Sequence, residues 1–357
     1  MISEKTLNID WIKTVSRKNR NTDKILIEKV IRALFLLEGL AESGLDFVFR
    51  GGTALMLLQG STKRLSIDID IITDKKTNLE PMFEKFLGRK YFTRLESQER
   101  KANSTIEKAH YKFFYQPVHK TAQEDEYILL DILFEKPPYQ KVLSIDIDSS
   151  FLQQSGQALK VMIPSFEEML GDKLTAFAPN TTGIPYLKNG VSRSMEIIKQ
   201  LYDIGNLFDV SNDLETIQES FRRFAQKELS YRNLKQNQGI VLKDIFETAL
   251  CISTRGKEGD GEFSALQSGI SQIGAFVFSE SFQIEKAIIY AAKAAYLSKL
   301  IESKEKKLER FENALQIKDW IIEQPFYTRL NRLKKSNPQA FFYWYKTCEL
   351  DKRSITE

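Results

Sequence analysis

Asp68 and Asp70, separated by a single isoleucine, are the residues of this chain best suited to bind a metal ion. Side chains two positions apart in a strand lie on the same face, so both carboxylates would point into one volume. Carboxylate oxygens suit Mg²⁺, and one or two of them with substrate phosphates usually complete its coordination. Two metal ions can also clamp the attacking and leaving oxygens of a phosphoryl transfer. We therefore predict that this pair is catalytic and binds the magnesium of a nucleoside triphosphate.

A glycine pair and two further polar residues precede the aspartates. Gly51 and Gly52 would let backbone N–H groups approach a phosphate, and a helix predicted to begin at Thr53 would add the positive end of its dipole. Arg64 and Ser66 stand just before the aspartates, where they could bind phosphate oxygens. These five residues are the predicted nucleotide-binding residues.

A second copy of the aspartate segment shows that the aspartates alone are a weak signal. Residues 66–70 read Ser-Ile-Asp-Ile-Asp, and the same five letters recur at 144–148 without a preceding glycine pair or a matching arginine. Alternating Ile and Asp is also typical of a strand with one solvated face, which is the interpretation we favour for 144–148. The functional signal is therefore the combination of glycines, arginine and aspartates.

Asp131 is a lone carboxylate in the apolar segment 129–133. A charge in a buried strand needs a partner or a metal ion. Asp131 could be a third carboxylate at the metal or a general base for the attacking hydroxyl, or it could face an edge of the sheet. The sequence leaves these alternatives open.

The elements that must position these residues fall into two parts. Helices and strands mix in the first part, whereas helical periodicity dominates from residue 164. The predicted class is α+β, with a small mixed-sheet domain over 1–163 and a mainly α-helical domain over 164–357. The main elements predicted in the first domain are helices at 22–43 and 53–59 and strands at 47–49, 65–73, 109–115, 127–134, 142–147 and 159–163.

The composition argues against several classes of protein. With 42% apolar residues and a net charge of +4, the chain is an ordinary globular protein, and its bulk charge does not indicate nucleic-acid binding. Cys251 and Cys348 form no Cys-x-x-Cys pair, so neither a disulfide framework nor a zinc site is expected. With His110 and His119 as the only histidines, we do not expect histidine-centred catalysis. No signal peptide and no apolar run of ~18 residues occur, so we expect a cytoplasmic protein without a membrane span.

Three motifs occur in order over roughly residues 25–210, and together they resemble a known family. They are Gly51-Gly52-Thr53-Ala54-Leu55 with Arg64-x-Ser66-x-Asp68-Ile69-Asp70, then Ile163-Pro164-Ser165-x-Glu167-Glu168-Met169-Leu170-x-Asp172-Lys173-Leu174-x-Ala176, and finally Lys199-Gln200-Leu201-Tyr202-Asp203-Ile204. The pattern resembles the AbiEii/AbiGii toxin family of nucleotidyltransferases, within the DNA polymerase β-like superfamily. The resemblance implies a mixed-sheet nucleotidyltransferase domain followed by a helical domain that completes the active-site cleft. It also implies an enzyme that uses Mg²⁺ and an NTP.

The same resemblance implies roles for single residues. Asp68 and Asp70 match the metal ligands, and Ser66 matches a phosphate-binding position. Lys173 matches a lysine that contacts the triphosphate, and Asp203 a late aspartate that supports the site. Without the family pattern, Lys173 would also fit an exposed position on a helix.

The chain departs from the family pattern in two places. Gln200 stands where the family often has an acidic residue, and residues 179–190 look like an inserted loop. Both departures bear on the assignment of Asp203, and Gln200 is the feature that favours a non-catalytic NTP-binding module docking a partner.

The acceptor of the nucleotide is the least determined part of the prediction. Characterised relatives are toxins of toxin–antitoxin or abortive-infection systems with a cognate antitoxin, and some add nucleotides to the 3′ end of tRNA. Two basic stretches, 12–34 and 285–335, could follow an RNA backbone or form solvated helix faces, and the second has twelve Lys or Arg against seven Asp or Glu. The aromatic run 341–345 could stack bases, but we favour a C-terminal helix docked by its aromatic residues. Transfer to a tRNA 3′ end is the first hypothesis, and transfer to a small molecule or a protein is the alternative.

Overall fold

The computed structural model of the chain describes residues 1–60, 63–74, 79–87, 91–97, 107–119 and 125–356. The chain divides into an α/β unit, Met1–Ser165 with Phe276–Glu280, and a helical unit, Phe166–Ala275 with Ser281–Glu357. Nothing in the sequence pattern indicated the short segment Phe276–Glu280 that returns to the first unit.

The α/β unit contains four helices and seven strands within the described residues. Its helices, which follow a 3₁₀ turn at Glu4–Leu7, are α1 (Ile9–Lys18), α2 (Lys24–Glu42), α3 (Gly51–Leu58) and α4 (Glu80–Leu87). Its strands are β1 (Val48–Arg50), β2 (Ile69–Thr73), β3 (Arg94–Ser97), β4 (Lys108–Tyr115), β5 (Glu126–Phe134), β6 (Val142–Asp146) and β7 (Lys160–Pro164).

The seven strands form one mixed sheet in the order β3-β4-β5-β2-β1-β7-β6. The pairs β2/β5 and β1/β7 are parallel, and the other neighbours are antiparallel. Helix α2 begins where predicted, because Asp23 accepts a hydrogen bond from the backbone N–H of Ile25 at 2.8 Å and caps it. It packs against β2 and β5, and its residues from Ile27 to Leu40 are almost all buried.

The strand predicted at 65–73 is wrong in its first half, because β2 begins at Ile69. Its antiparallel partner β1 has only three residues, paired with Asp70, Ile71 and Ile72, and then the chain turns into α3. The preceding segment is held elsewhere: the backbone N–H of Leu65 donates to Phe276 O at 2.8 Å. Asp68 therefore lies outside the strand, and period-two alternation does not by itself align it with Asp70.

Among the described residues, the helical unit contains eight α-helices, one small hairpin and two 3₁₀ helices, Ala314–Ile317 and Thr328–Arg332. The α-helices and the hairpin follow in chain order. They are α5 (Phe166–Ala176), the hairpin strands β8 (Leu187–Lys188) and β9 (Val191–Ser192), α6 (Ser194–Val210), α7 (Leu214–Tyr231), α8 (Gly239–Ser253), α9 (Phe263–Ile273), α10 (Ile284–Glu302), α11 (Leu333–Ser336) and α12 (Pro338–Thr356). Helix α10 packs against α6, α8 and α12. The mixed sheet and the helical unit confirm the predicted α+β class.

The aromatic run at 341–345 docks the C-terminal helix, as predicted. Phe341, Phe342, Tyr343 and Trp344 are buried, and Trp344 Nε1 donates to Ser253 Oγ at 3.0 Å. These rings fill the core of the helical unit and are not available to stack on bases. Among the helices that the structure describes, none is both long and apolar enough to span a bilayer.

Candidate active site

The glycine pair Gly51-Gly52 follows β1 directly and forms the first two residues of α3; we call this pair the glycine turn. Gly51 has φ +81°, a left-handed conformation that favours glycine. A Cβ added there would overlap Asp70 Oδ2 and lie 3.1 Å from Asp70 Cγ. The position therefore needs glycine for its backbone conformation and because the Asp70 carboxylate occupies the adjacent space.

Gly52 brings two more of the predicted residues to the same turn. A Cβ on Gly52 would lie 2.6 Å from Ser66 Oγ and 2.8 Å from Arg64 Nη2. Arg64 is buried, and its Nη1 donates to Leu65 O at 3.2 Å. The hydroxyl, guanidinium and carboxylate groups thus converge on the start of α3, where helical N–H groups are the natural partners of phosphate.

Thr53 and Asp68 connect this turn to the segment before β2. Thr53 is fully buried in the first turn of α3, which begins two residues earlier than predicted. Its hydroxyl donates to the backbone carbonyl of Asp68 at 2.6 Å, while the Asp68 residue is exposed. The contact fixes the backbone beside an exposed carboxylate, so Thr53 positions Asp68.

Strand register places four polar residues in one row across the sheet. Arg50 on β1 pairs with Asp70 on β2, Asp70 pairs with Asp131 on β5, and Asp131 pairs with His110 on β4. Residues in register on neighbouring strands point to the same face. Asp131, whose role the sequence left open, is thus in register with Asp70, in an interior strand of the sheet.

His110 was missed by the sequence analysis, which set histidine chemistry aside. Its Nδ1 lies 2.5 Å from Asp131 Oδ1, with the His110 side chain 10% and the Asp131 side chain 33% exposed. The contact depends on the register of β4 and β5. It could therefore be predicted from the sequence only if the pairing of these two strands were known. The histidine fixes the orientation of a carboxylate that stays open to solvent.

The carboxylates of the α/β unit fit a magnesium ion by the chemistry of their donors. Mg²⁺ prefers hard oxygen ligands and commonly takes one or two carboxylates together with phosphates and water. Asp70 has its carboxylate beside Gly51, and Asp68 offers a second, exposed carboxylate just before β2. Among the described residues no three His, Cys, Asp or Glu side chains gather closely enough to form a metal site on their own.

The second copy of the Ser-Ile-Asp-Ile-Asp segment, residues 144–148, lies in a different part of the sheet. It falls on and just after β6, at an edge of the sheet, and Ser144, Asp146 and Asp148 are exposed. Asp148 Oδ1 accepts from the backbone N–H of Ser149 at 2.8 Å. The predicted strand with one solvated face is confirmed for this copy.

In the helical unit, Lys173 on α5 and Asp203 on α6 form a buried ion pair. Lys173 Nζ lies 3.0 Å from Asp203 Oδ2, and the side chains are 10% and 2% exposed. The alternative of an exposed helix position for Lys173 is therefore wrong. Gln200 lies one turn before Asp203, and its amide donates to Glu196 O at 3.4 Å.

We expect Asp203→Ala to lower the free energy of unfolding by about 3–5 kcal/mol, because the ammonium of Lys173 would stay buried without its carboxylate. Urea unfolding followed by circular dichroism measures the loss. Lys173→Met/Asp203→Leu removes both charges and should recover most of the wild-type stability. A double variant as unstable as the single one would show that the ion pair is not the cause.

Comparisons with known proteins identify the family of the chain and a solved structure of similar fold. The family described as nucleotidyl transferase AbiEii toxin, type IV TA system, matches residues 33–272, which confirms the resemblance predicted from the three motifs. The solved structure of MenT4, a nucleotidyltransferase toxin of Mycobacterium tuberculosis H37Rv, is similar in fold, with a TM-score of 0.50 and 12% identity over 82% of this chain and 89% of that one. An antigenic nucleotidyltransferase-like protein from Paracoccidioides brasiliensis matches 59% of this chain and 93% of its own, with a TM-score of 0.34 and 17% identity. No curated protein sequence gave a significant match.

Proposed function

Because the chain belongs to the AbiEii family of nucleotidyltransferase toxins, we propose that it transfers a nucleoside monophosphate from an NTP to RNA in the cytoplasm, with Mg²⁺ and with the 3′ end of tRNA as acceptor. The observation that carries this proposal is the convergence of Asp70, Ser66 and Arg64 on the glycine turn at the start of α3. As a member of a type IV toxin–antitoxin family, the protein is further proposed to have a cognate antitoxin.

The glycine turn supplies the groups that bind the triphosphate. Backbone N–H groups at the start of α3 donate to phosphate oxygens, and the glycines leave room for the approach. The hydroxyl of Ser66 and the guanidinium of Arg64, both beside Gly52, add charge-assisted hydrogen bonds. Asp68 and Asp70 would hold Mg²⁺, which neutralises the triphosphate when bound.

Asp131 is assigned the role of proton acceptor. The 3′-hydroxyl oxygen attacks the α-phosphorus, the bond to the bridging oxygen of the β-phosphate breaks, and pyrophosphate leaves with that electron pair. The hydroxyl proton passes to the carboxylate of Asp131, which is partly open to solvent and oriented by His110. By the family pattern we assign Lys173 a contact with the triphosphate and Asp203 the task of orienting the Lys173 ammonium, 3.0 Å away.

The proposal is tested by incubating purified protein with Mg²⁺, each of the four α-labelled NTPs and unfractionated tRNA. Label is expected on tRNA, at its 3′ end, and chelation of the metal by EDTA should remove the signal. Periodate-oxidised tRNA, which lacks the 3′-diol, is the matched control and should accept nothing. Label on a small molecule or on a protein would favour the alternative acceptors, and NTP binding without any labelled product would favour a non-catalytic module.

A further inference from the structure

A cavity in the helical unit gathers cations that the proposed chemistry does not use. It has a volume of about 260 Å³ and is lined by Arg255, Lys257, Arg329 and Arg332, with Glu285 as the one carboxylate among the described lining residues. Arg329 and Arg332 come from the basic stretch 285–335, and Arg255 and Lys257 from the loop after α8. We call this the basic cavity.

The loop that carries Arg255 and Lys257 is anchored to α8. The backbone N–H of Gly256 donates to Cys251 O at 2.8 Å, and that of Lys257 donates to Thr254 O at 3.3 Å. At Gly259 a Cβ would overlap Glu247 O and lie 2.5 Å from Cys251 N, so the loop backbone lies directly on the helix. The backbone that carries the two cations is therefore held in place beside the cavity.

The charges of the basic cavity are only partly compensated. Arg255 lies 3.0 Å from Glu285, and Arg329 lies 3.1 Å from Glu258. In the part of the chain that the structure describes, neither Lys257 nor Arg332 has a carboxylate within 4.0 Å. Neighbouring cations without counter-charges favour an anion between them.

Another cavity of the same unit shows that this cation excess is local. That cavity, of about 410 Å³, is lined by two lysines and three carboxylates, which are Lys243, Lys299, Glu247, Glu302 and Asp351. Its walls carry one negative charge more than positive charges. A basic composition of the surface as a whole therefore does not explain the basic cavity.

We propose that the basic cavity binds a backbone phosphate of RNA; the choice of RNA rests on the proposed function. The volume lies below the roughly 300–1,000 Å³ of sites for whole small molecules and suits a phosphate group. The residue before α12, Asn337, also lines the cavity, so the positive end of a 19-residue helix adds to the field.

The surroundings favour RNA over a membrane lipid. Arg255 and Arg329 have side chains that are 55% and 54% exposed, so a chain-like polyanion can reach them from solvent. The apolar lining residues Ile288, Leu330 and Leu333 are buried and offer nothing to insert into a bilayer.

The test compares two double variants that remove the same charge from the full-length protein. Lys257→Ala/Arg332→Ala removes the uncompensated cations of the basic cavity, and Lys243→Ala/Lys307→Ala removes two exposed lysines elsewhere in the helical unit. Binding of fluorescein-labelled tRNA is followed by anisotropy between 50 and 200 mM salt, without NTP. We expect the first variant to bind about 10-fold more weakly and to lower the salt slope by about 1, with the control close to wild type.

Several outcomes would overturn the proposal: equal weakening in both variants, no binding of tRNA by the wild type, or lost binding to phosphatidylserine vesicles with tRNA binding intact. Thermal melts of both variants should match wild type, because the replaced side chains are exposed.

The binding test is independent of catalytic turnover. Selective loss of tRNA binding with no label transfer would keep the cavity and refute the transferase proposal. Transfer to tRNA with an unchanged KM in the first variant would refute the basic cavity and keep the transferase proposal.

Discussion

Asp70→Asn is expected to lower the rate of nucleotide transfer by at least about 10³-fold, equivalent to about 4 kcal/mol of transition-state stabilisation. Asparagine keeps the size of the side chain but removes the negative charge that would hold Mg²⁺ beside the triphosphate. The carboxylate lies directly beside Gly51, so the charge is lost at the proposed triphosphate site itself. Single-turnover transfer of label from NTP to tRNA measures the effect.

The chain contains its own control for this variant. Asp148 occupies the matching place in the second Ser-Ile-Asp-Ile-Asp copy, and it is exposed at the edge of the sheet. Asp148→Asn makes the same chemical change in the same local sequence and should leave transfer unchanged. Equal losses in the two variants, or more than a tenth of wild-type activity in Asp70→Asn, would contradict the assignment of the site.

Gly51→Ala is expected to remove most activity and to lower the free energy of unfolding by no more than the local backbone cost. The left-handed backbone at Gly51 makes alanine unfavourable by about 1–2 kcal/mol. The added methyl group would also overlap Asp70 Oδ2, the end of a side chain that can rotate away. That rotation would displace a metal ligand, and a misplacement of about 1 Å can cost about 10²-fold in rate.

Gly44→Ala separates the cost of the left-handed backbone from the displacement of the Asp70 carboxylate. Gly44 has φ +76°, but a Cβ there would have no neighbour within 4 Å. We expect Gly44→Ala to lose about the same 1–2 kcal/mol of stability as Gly51→Ala and to keep wild-type activity. Urea unfolding and the transfer assay, applied to both variants, give the comparison. Equal activity in the two would show that the Asp70 carboxylate does not need its place beside Gly51.

Sequence periodicity predicted most elements of the fold because their apolar spacing follows their burial. Helix α2 and strands β4 and β5 begin and end within about two residues of the predicted positions. The error at 65–68 has a different origin: β1 ends before it can pair with these residues, and the backbone N–H of Leu65 bonds to Phe276 O instead. Alternation indicates which residues could form a strand, but it does not indicate which hydrogen-bond partners the folded chain gives them.

The site was predictable to the extent that its residues are close in sequence. Gly51, Gly52, Ser66 and Asp70 lie within one short segment, and phosphate chemistry requires these types together. His110 could not be found in this way, since its contact with Asp131 spans 21 residues and follows from the register of two strands. Contacts between residues that are distant in the chain are the feature that a single sequence predicts least well.

The segment Phe276–Glu280 has a consequence for the order of events during synthesis. The hydrogen bond from Leu65 N to Phe276 O joins residues 211 apart (276 − 65), and Ser279 Oγ donates to Lys63 O across a similar span. Contacts of such separation form late, because a long loop must close first. On the ribosome, the backbone beside Arg64 stays without this partner until residues 166–275 have been translated. A chain released early, or cut at Ser165, thus lacks the support of its phosphate-binding segment, and activity is expected only once residues 276–280 have been made.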